Sequence, residues 1–268
     1  MSGIESGARS PTSWDPEQYR LYSDHRFRPA VELAQRIPGE APRTIYDLGC
    51  GTGNVTRLLA ARWPDARVVG MDHSPEMLAI ASRTPSTIRW VEADLNLWEP
   101  EPNAPPDLLF SNATLHWVAD HERLFPKLLG WLAFGGCLAV QMPRSWGLPS
   151  HRIMRETLAD TGLGSAELRQ SLEKDPVGEP LTYHRIVSGL ATHIDIWETE
   201  YLQLLEGPDP VLEWVKGTGL RPILLALSDA ERKEFLDEYA RRLRVAYPAA
   251  ADGRTLYPFR RLFVIACV

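Results

Sequence analysis

The residue types able to do chemistry gather first at a glycine-rich turn near the amino end of the chain. An apolar run over residues 45–48 carries Asp47 and leads into the turn 49–53, where glycine stands at alternate positions. Residues 55–63 then repeat apolar side chains with the period of a helix. In α/β proteins a strand, a glycine turn and a helix in this order point backbone N–H groups at a nucleotide-like ligand. The sequence therefore predicts a cofactor site at the end of the first strand.

Three residues around this turn indicate which cofactor it binds. Asn54 stands where the G-x-G-x-x-G fingerprint of dinucleotide enzymes has its last glycine. Asp47 would repel a pyrophosphate but attract the amino group of an amino-acid-like ligand. Asp72 ends the next apolar run, where an acid accepts hydrogen bonds from ribose hydroxyls. Adenosine joined to a cationic amino acid, without phosphate, describes S-adenosylmethionine, which we predict as the cofactor; the alternative is a chance glycine turn in another α/β protein.

Further cofactor contacts are expected where the other parallel strands end. His73 and Met77 lie at the start of the second predicted helix, which has Ser74 as its N-cap and Pro75 as its first residue. Asp94 ends the third strand, either near the adenine amino group or as a loop cap. The predicted cofactor-binding residues are Tyr19, Asp47, Gly49, Cys50, Gly51, Asn54, Asp72, His73, Met77, Asp94, Leu95, Asn112, Ala113 and Trp117.

The acceptor is expected beside residues 112–117, which follow the fourth strand. His116 is the predicted catalytic residue, in an orienting role. It would either hold a substrate carboxylate or act as a base. A histidine next to Trp117 is as often a packed, hydrogen-bonded residue, and this alternative stays open.

Arginine side chains suit a carboxylate acceptor. Such an acceptor is ionised near pH 7, so its enzyme needs guanidinium forks to bind the acid and no obligatory base. Either Arg260 or Arg261 is expected near the pocket, and the alternative for every arginine is a solvated ion pair. The predicted substrate-binding residues are Tyr22, Arg28, His116, Trp117, Arg144, Trp146 and Arg221.

The chain is predicted to form one structural domain with insertions. Residues 1–13 are expected to be a disordered tail, and 14–43 a lid segment with the first helix. Residues 44–142 form the predicted cofactor-binding core. Residues 143–268 supply the remainder of the sheet and a helical cap over the acceptor pocket.

Two stretches of the second half have no clear helix or strand pattern. The charged residues 163–179 are expected to be mobile, and residues 220–222 to connect two helices. Those helices are predicted over residues 210–216 and 229–247.

Composition and charge narrow the class of function. The 268 residues carry 29 Lys and Arg against 35 Asp and Glu, so the net charge of −6 argues against a nucleic-acid partner and favours a small substrate. No leader pattern or long apolar stretch suggests export or a membrane. The positions of Cys50, Cys137 and Cys267 predict neither a disulfide nor a metal framework. We expect a cytoplasmic protein, either a monomer or a weak homodimer.

The motifs resemble those of a known family. Residues 47–53 resemble motif I of the class I S-adenosylmethionine-dependent methyltransferases. A narrower resemblance, to the bacterial trans-aconitate 2-methyltransferases, runs nearly end to end. The most specific segments are 14–33 and Thr218-Gly219-Leu220-Arg221-Pro222. The other segments that carry it are 47–51, 91–94, 139–143, 214–215 and 261–263.

This resemblance implies an α/β fold with a Rossmann-like sheet of seven strands, the last antiparallel, and an inserted helical cap. It also implies that S-adenosylmethionine esterifies one carboxylate of trans-aconitate to a monomethyl ester. Residues 163–179 diverge from the family pattern, which leaves other acceptors open. The alternatives are a methyltransferase for another small acid, a malonyl thioester or a natural product, or a non-catalytic cofactor-binding regulatory protein.

Overall fold

A seven-stranded sheet runs through the part of the chain that the computed structural model describes, residues 27–101, 104–217 and 219–268. Its strands are β1 (Thr44–Leu48), β2 (Arg67–Asp72), β3 (Arg89–Glu92), β4 (Leu108–Asn112), β5 (Cys137–Pro143), β6 (His193–Leu205) and β7 (Thr255–Cys267). They lie in the order β3-β2-β1-β4-β5-β7-β6. β1 to β5 are parallel, whereas β7 is antiparallel to β5 and β6. The predicted fold class is confirmed.

The order of the strands determines where a ligand binds. β1 lies between β2 and β4, so the connections leave it in opposite directions and a crevice opens beyond its carboxyl end. Asp72 ends β2 and Asn112 ends β4, while Asp47 is the last residue but one of β1. These three predicted site residues therefore belong to the same edge of the sheet.

Helices cover both faces of the sheet. They are α1 (Arg28–Arg36), α2 (Asn54–Arg62), α3 (Pro75–Ala81), α4 (His121–Leu129), α5 (Pro149–Thr161), α6 (Ala166–Ser171), α7 (Pro180–Val187), α8 (Pro210–Lys216), α9 (Arg221–Ala226) and α10 (Asp229–Ala246). Successive strand residues face opposite sides. Phe110 of β4 thus packs in the core that holds α1 and α2, whereas Leu109 packs with α4 and α7. No helix in the described ranges is long and apolar enough to cross a membrane.

A separate core joins the end of the β6–β7 hairpin to the helical cap. β7 pairs with β5 over residues 261–267, and only with β6 over residues 255–260. Tyr257 and Phe259 in this second part pack with apolar residues of α5, α8, α9 and α10. The predicted cap is therefore present, and the hairpin connects it to the sheet.

Local sequence explains where two of the helices begin. The Oγ of Ser74 accepts a hydrogen bond from the N–H of Met77 at 3.3 Å, and Pro75 is the first residue of α3. Ser228 and Glu231 form a capping box at the start of α10. Both starts match the prediction.

Two stretches that were expected to lack regular structure are helical. α6 lies within residues 163–179, where the Oγ of Ser165 accepts from the N–H of Leu168 at 3.1 Å and Val177 is buried. Residues 220–222 open α9 rather than linking helices, because a proline in the first turn loses no helical hydrogen bond. Both expectations are corrected.

The expected absence of a disulfide was wrong. Cys137 and Cys267 are joined by a disulfide across a sequence separation of 130 residues. The antiparallel register of β5 and β7 places these two residues directly opposite each other. Only the pairing of the strands, and not the spacing of the cysteines, reveals this bond. Cys50 is buried and unbonded.

Candidate active site

The glycine turn after β1 is closed at its two ends and open in the middle. Gly49 and Gly53 have φ angles of 75° and 76°, and a Cβ atom would lie 2.2 Å from Thr114 at the first position and 2.4 Å from Trp90 at the second. Gly51, with φ of 54°, has nothing within 4 Å of the same point. The turn therefore presents its central backbone to open space, as a cofactor-binding turn does.

Asp72 holds the open part of the turn. Its Oδ2 accepts from the N–H of Gly51 at 2.8 Å, and its Oδ1 accepts from the N–H of Ser74 at 3.0 Å. Each carboxylate oxygen has a second lone pair, which leaves the group able to accept hydrogen bonds from ribose hydroxyls. The exposed imidazole of His73 lies beside it, with Nδ1 3.4 Å from Oδ1.

Asp47 lies beneath the turn rather than at its mouth. Its side chain is buried, and its Oδ2 accepts from the Oγ1 of Thr56 at 2.6 Å. Burial raises the pKa of Asp47 to about 7; the Thr56 hydrogen bond opposes this, and the charge of Asp72 adds to it. The geometry ties the carboxylate to the first turn of α2, so any effect of Asp47 on the cofactor passes through the shape of the loop.

The end of β4 carries an unsatisfied acceptor next to a strained residue. The Oδ1 atom of Asn112 is buried and has no hydrogen-bond partner among the described residues. Ala113 has φ of 56°, although its N–H donates to the carbonyl of Gln141 at 2.9 Å. A buried acceptor without a donor costs about 1–3 kcal/mol, and backbone strain concentrates at ligand sites. Asn112 thus fits a ligand that brings an N–H group, such as the amino group of the predicted cofactor.

The expected adenine side is formed by exposed residues. Met77 is 38% exposed, and Leu95 is half-buried after β3. Asp94 accepts from the N–H of Asn96 at 2.9 Å and from its Nδ2 at 2.8 Å. These bonds lower the pKa of Asp94, which therefore stays ionised. Asp94 acts as a loop cap here, and its second oxygen remains able to accept from an amino group.

His116 lies on a short 3-10 turn, Leu115–Trp117, directly after β4. It is half-buried, and its Nδ1 has no hydrogen-bond partner among the described residues. Burial lowers the pKa of His116 to about 3, and the charge of Arg261 adds to this effect. The imidazole is therefore neutral at pH 7. Trp117 is 56% exposed, with its ring 4.7 Å from that of His116.

His121, which the sequence reasoning did not select, fixes this turn. Its Nε2–H donates to the carbonyl of Leu115 at 2.9 Å, and its Nδ1 accepts from the hydroxyl of Tyr183 at 2.7 Å. Tyr183 belongs to α7 and is fully buried. The position of His116 thus depends on a contact between α4 and α7 that no local pattern shows.

The predicted substrate arginines have different surroundings. Arg28 is exposed at the start of α1, with its Cζ 5.1 Å from the ring centre of Tyr201. Arg144 follows β5 and forms ion pairs with Glu179 and, at 2.7 Å, with Glu198. Its guanidinium is thus already held by two carboxylates.

Two other predicted substrate residues lie in the cap. Arg221 is exposed at the start of α9 and makes no hydrogen bond or ion pair with the described residues. Trp146 is half-buried, with the Arg155 guanidinium 4.8 Å from its ring centre and His151 packed at 5.7 Å. No hydrogen bond, ion pair or ring contact joins Arg221 to His116 among the described residues. The predictions for residues 1–26, including Tyr19, Tyr22, the tail and the lid, lie outside the described residues, as does Thr218.

Arg261 and Gln141 also lie at this edge of the sheet. Both are buried, and the Nη1 of Arg261 donates to the Oε1 of Gln141 at 3.0 Å. The Cζ of Arg261 is 4.8 Å from the ring centre of Phe259 and 6.0 Å from that of Tyr201. Charged residues beside the apolar run of β7 are visible in the sequence and indicate a site residue there. Choosing Arg261 over Arg260 requires knowing which face of the sheet each side chain occupies.

The known proteins whose sequences this chain resembles are methyltransferases. Residues 45–136 match the family model described as a methyltransferase domain. The trans-aconitate 2-methyltransferase of Azoarcus sp. (strain BH72) is 44% identical over 254 residues, which cover 95% of this chain and 98% of that protein. The trans-aconitate 2-methyltransferase of Streptomyces avermitilis is 48% identical over 264 residues, covering 95% of this chain and 96% of that protein.

Solved structures of similar fold include two distant proteins. The YcgJ protein from Bacillus subtilis superposes with a TM-score of 0.56 at 13% identity, covering 90% of this chain and 97% of that chain. A Haemonchus contortus phosphoethanolamine N-methyltransferase 2 in complex with S-adenosyl-L-methionine gives a TM-score of 0.51 at 17% identity, covering 98% of this chain and 61% of that chain. At such identities the likeness supports the fold alone.

The sheet order, the open glycine turn and the acid at the end of β2 define a class I S-adenosylmethionine-dependent methyltransferase. Within that class the relatives are specific, because they match nearly the whole chain at more than 40% identity. The chain belongs to the trans-aconitate 2-methyltransferase family.

Proposed function

We propose that this protein transfers a methyl group from S-adenosylmethionine to one carboxylate of trans-aconitate, giving the monomethyl ester and S-adenosylhomocysteine. The observation that carries this proposal is the combination of a neutral histidine and a buried arginine at the same edge of the sheet as the open glycine turn. This set of groups suits an anionic acceptor that needs binding but no deprotonation. The names of the relatives in Azoarcus and Streptomyces support the choice of acid.

The residues that would hold the cofactor follow the edge of the sheet. Asp72 would accept from the ribose hydroxyls, and the backbone at Gly51 would lie against the ligand. The Oδ1 of Asn112 would accept from the amino group of the methionine part, and Asp94 from that of adenine. When bound, S-adenosylmethionine supplies an electrophilic methyl group, which a carboxylate oxygen accepts without losing a proton.

The contribution of the protein to the reaction is positioning. An ionised carboxylate is a sufficient nucleophile once it is aligned and shielded from water. His116 is neutral at pH 7, so it is suited to orient the acid through a hydrogen bond and has no need to remove a proton. Arg144, tied to Glu179 and Glu198, would shape the pocket entrance.

The substrate class, partners, oligomeric state and compartment of the enzyme are also proposed. We assign it a small carboxylic acid as substrate, no nucleic-acid or membrane partner, and a monomer or weak homodimer as its state. We also assign it to the cytoplasm, although disulfides such as Cys137–Cys267 are typical of oxidising compartments. Both cysteines are buried, which shields the bond from thiol exchange.

Incubation with labelled S-adenosylmethionine and a panel of acceptors tests the activity. The panel contains trans-aconitate, cis-aconitate, citrate and several phenols, with base-labile label as the readout for esters. Selective, base-labile labelling of trans-aconitate is the expected result. Labelling of phenols, which need a base, would favour a different acceptor class. Binding of the cofactor with transfer to no acceptor would favour the regulatory alternative.

A further inference from the structure

A row of polar side chains continues one face of the sheet beyond its apolar part. Asn112, Gln141 and Arg261 each lie two residues from an apolar member of the same core, namely Phe110, Ala139 and Phe263. Because side chains alternate along a strand, all three polar residues face the side covered by α1 and α2. The strands that carry them are adjacent, and Asn112 pairs directly with Gln141. The row therefore lies at the edge where the cofactor turn ends.

Gln141 orients the guanidinium of Arg261 in this row. The amide of Gln141 is fully buried, and its Oε1 accepts from Nη1 of Arg261 at 3.0 Å. The Nε2 of Gln141 has no hydrogen-bond partner among the described residues. An amide acceptor fixes the fork without adding a negative charge, and the unused Nε2–H is a donor for a ligand oxygen.

A second guanidinium lies near the same aromatic ring as the first. The centre of the Tyr201 ring is 5.1 Å from Cζ of Arg28 and 6.0 Å from Cζ of Arg261. Glu32 holds this ring, because its carboxylate accepts from the hydroxyl of Tyr201 at 2.5 Å and from Thr199 at 2.9 Å. Two guanidinium groups thus lie near a ring that is held by one carboxylate, an excess of positive charge that favours an anionic ligand.

The geometry points to Arg261 as the residue that binds a non-reacting carboxylate of the acceptor, with Gln141 positioning it and Arg28 assisting from near the Tyr201 ring. This inference rests on the proposed function and deepens it, because it assigns the preference for polycarboxylates to these residues. The reacting carboxylate lies nearer the glycine turn and His116. A monocarboxylate has no second carboxylate for Arg261 to bind, so Arg261 does not contribute to its binding.

The test compares acceptors with three and one carboxylates. Initial rates with trans-aconitate and with crotonate, a monocarboxylate with a trans double bond, give kcat/KM for each. In Arg261→Gln we expect kcat/KM for trans-aconitate to fall about 30-fold or more, mainly through KM, because the charge-assisted hydrogen bonds to the acid are lost. For crotonate, kcat/KM should change by less than about threefold. Arg28→Gln, at an exposed position, should reduce the preference by a smaller factor.

Arg260→Gln is the matched control. Arg260 is adjacent in sequence but faces the other side of the hairpin, where it pairs with Glu200 at 3.6 Å. We expect the preference for trans-aconitate to stay within about twofold of wild type in this variant, as for a surface ion pair. Arg261→Lys, which keeps the charge and loses the fork, should fall between wild type and Arg261→Gln. Affinity for S-adenosylhomocysteine confirms that each variant is folded.

Binding of tricarballylate and of crotonate to the complex with S-adenosylhomocysteine, which has no methyl group to transfer, gives the same ratio without turnover of either acid. An unchanged ratio in Arg261→Gln, or an equal loss for both acids, overturns the inference while the proposed function stands. Failure of the wild type to methylate any of the acids overturns the proposed function and the inference with it.

Discussion

The cofactor side of the site and the acceptor side are constructed differently. On the cofactor side, the first two strands and the turns that follow them make the geometry: Gly51 donates to Asp72, 21 residues away, and Ser74 donates to the same carboxylate. On the acceptor side, Gln141 and Arg261 meet from strands that are 120 residues apart in the chain. Arg28 approaches the same ring from α1. Contacts across up to 21 residues hold the carboxylate of the first region, whereas pairing of strands 120 residues apart makes the second.

The difference teaches that the two binding functions are separable. A change at the end of β2 alters the cofactor site without touching the β6–β7 hairpin, and a change on β7 should do the reverse. The end of β4 and the turn after it lie between the two regions, since Asn112 is proposed for the cofactor side and the charge of Arg261 contributes to the lowered pKa of His116.

Replacing Asp72 should produce the largest effect. Asp72→Ala removes the carboxylate that fixes Gly51 and would accept from two ribose hydroxyls, so affinity for S-adenosylhomocysteine should fall about 100-fold or more. Isothermal titration calorimetry measures this. Asp65→Ala, at an exposed acid, is the control. An affinity within a few-fold of wild type would remove Asp72 from the ribose site.

Two glycines of the turn should separate stability from binding. Gly49→Ala places a Cβ 2.2 Å from Thr114 at a positive φ, so we expect a loss of about 2–4 kcal/mol in the free energy of unfolding. Gly51→Ala meets nothing within 4 Å and should lose only about 1 kcal/mol, but it fills the space for the cofactor. Urea denaturation with parallel cofactor titration checks both. Equal stability losses would contradict the difference in packing.

His116→Asn should lower activity moderately. If the acid is already ionised, we expect kcat to fall about tenfold and not to vanish, because an orienting hydrogen bond is lost and no base is removed. The kcat of the wild type should show no step from His116 between pH 6 and 8.5, since the pKa of this residue is about 3. Complete loss of turnover with intact cofactor binding would identify His116 as a base.

The same residue should make stability depend on pH in acid. The pKa of His116 is lowered to about 3 by burial, so the unfolded chain binds its proton from about pH 6.5 downward while the folded chain does not. Stability is therefore lost as the pH falls from 6.5 toward 3, and His116→Asn should reduce that slope by up to about 1.4 kcal/mol per pH unit. Unfolding at several pH values measures the slope, with the exposed His184→Asn as control. An unchanged slope would contradict the burial of the neutral imidazole.

Sequence reasoning succeeded where the signal is local. The N-cap at Ser74, the capping box at Ser228 and the turn at Gly49 follow from side-chain chemistry within a few residues. It failed at residues 220–222, which were expected to connect two helices although Pro222 lies in the first turn of α9. It also missed the Cys137–Cys267 disulfide.

The missed features share a physical cause. The disulfide and the Arg261–Gln141 contact both depend on the register of β7 against β5, which is set by pairing over a long sequence separation. His121 depends likewise on the packing of α7. The pattern of one strand shows that it has two faces, but it does not show which residue of a neighbouring strand lies beside it.

Calorimetric titration of S-adenosylhomocysteine into the Arg261→Gln variant tests the separation of the two regions most directly. The account predicts a dissociation constant within about twofold of wild type, because the contacts of Asp72 and the glycine turn are untouched. A loss as large as that of Asp72→Ala would show that Arg261 belongs to the cofactor site and would contradict the account.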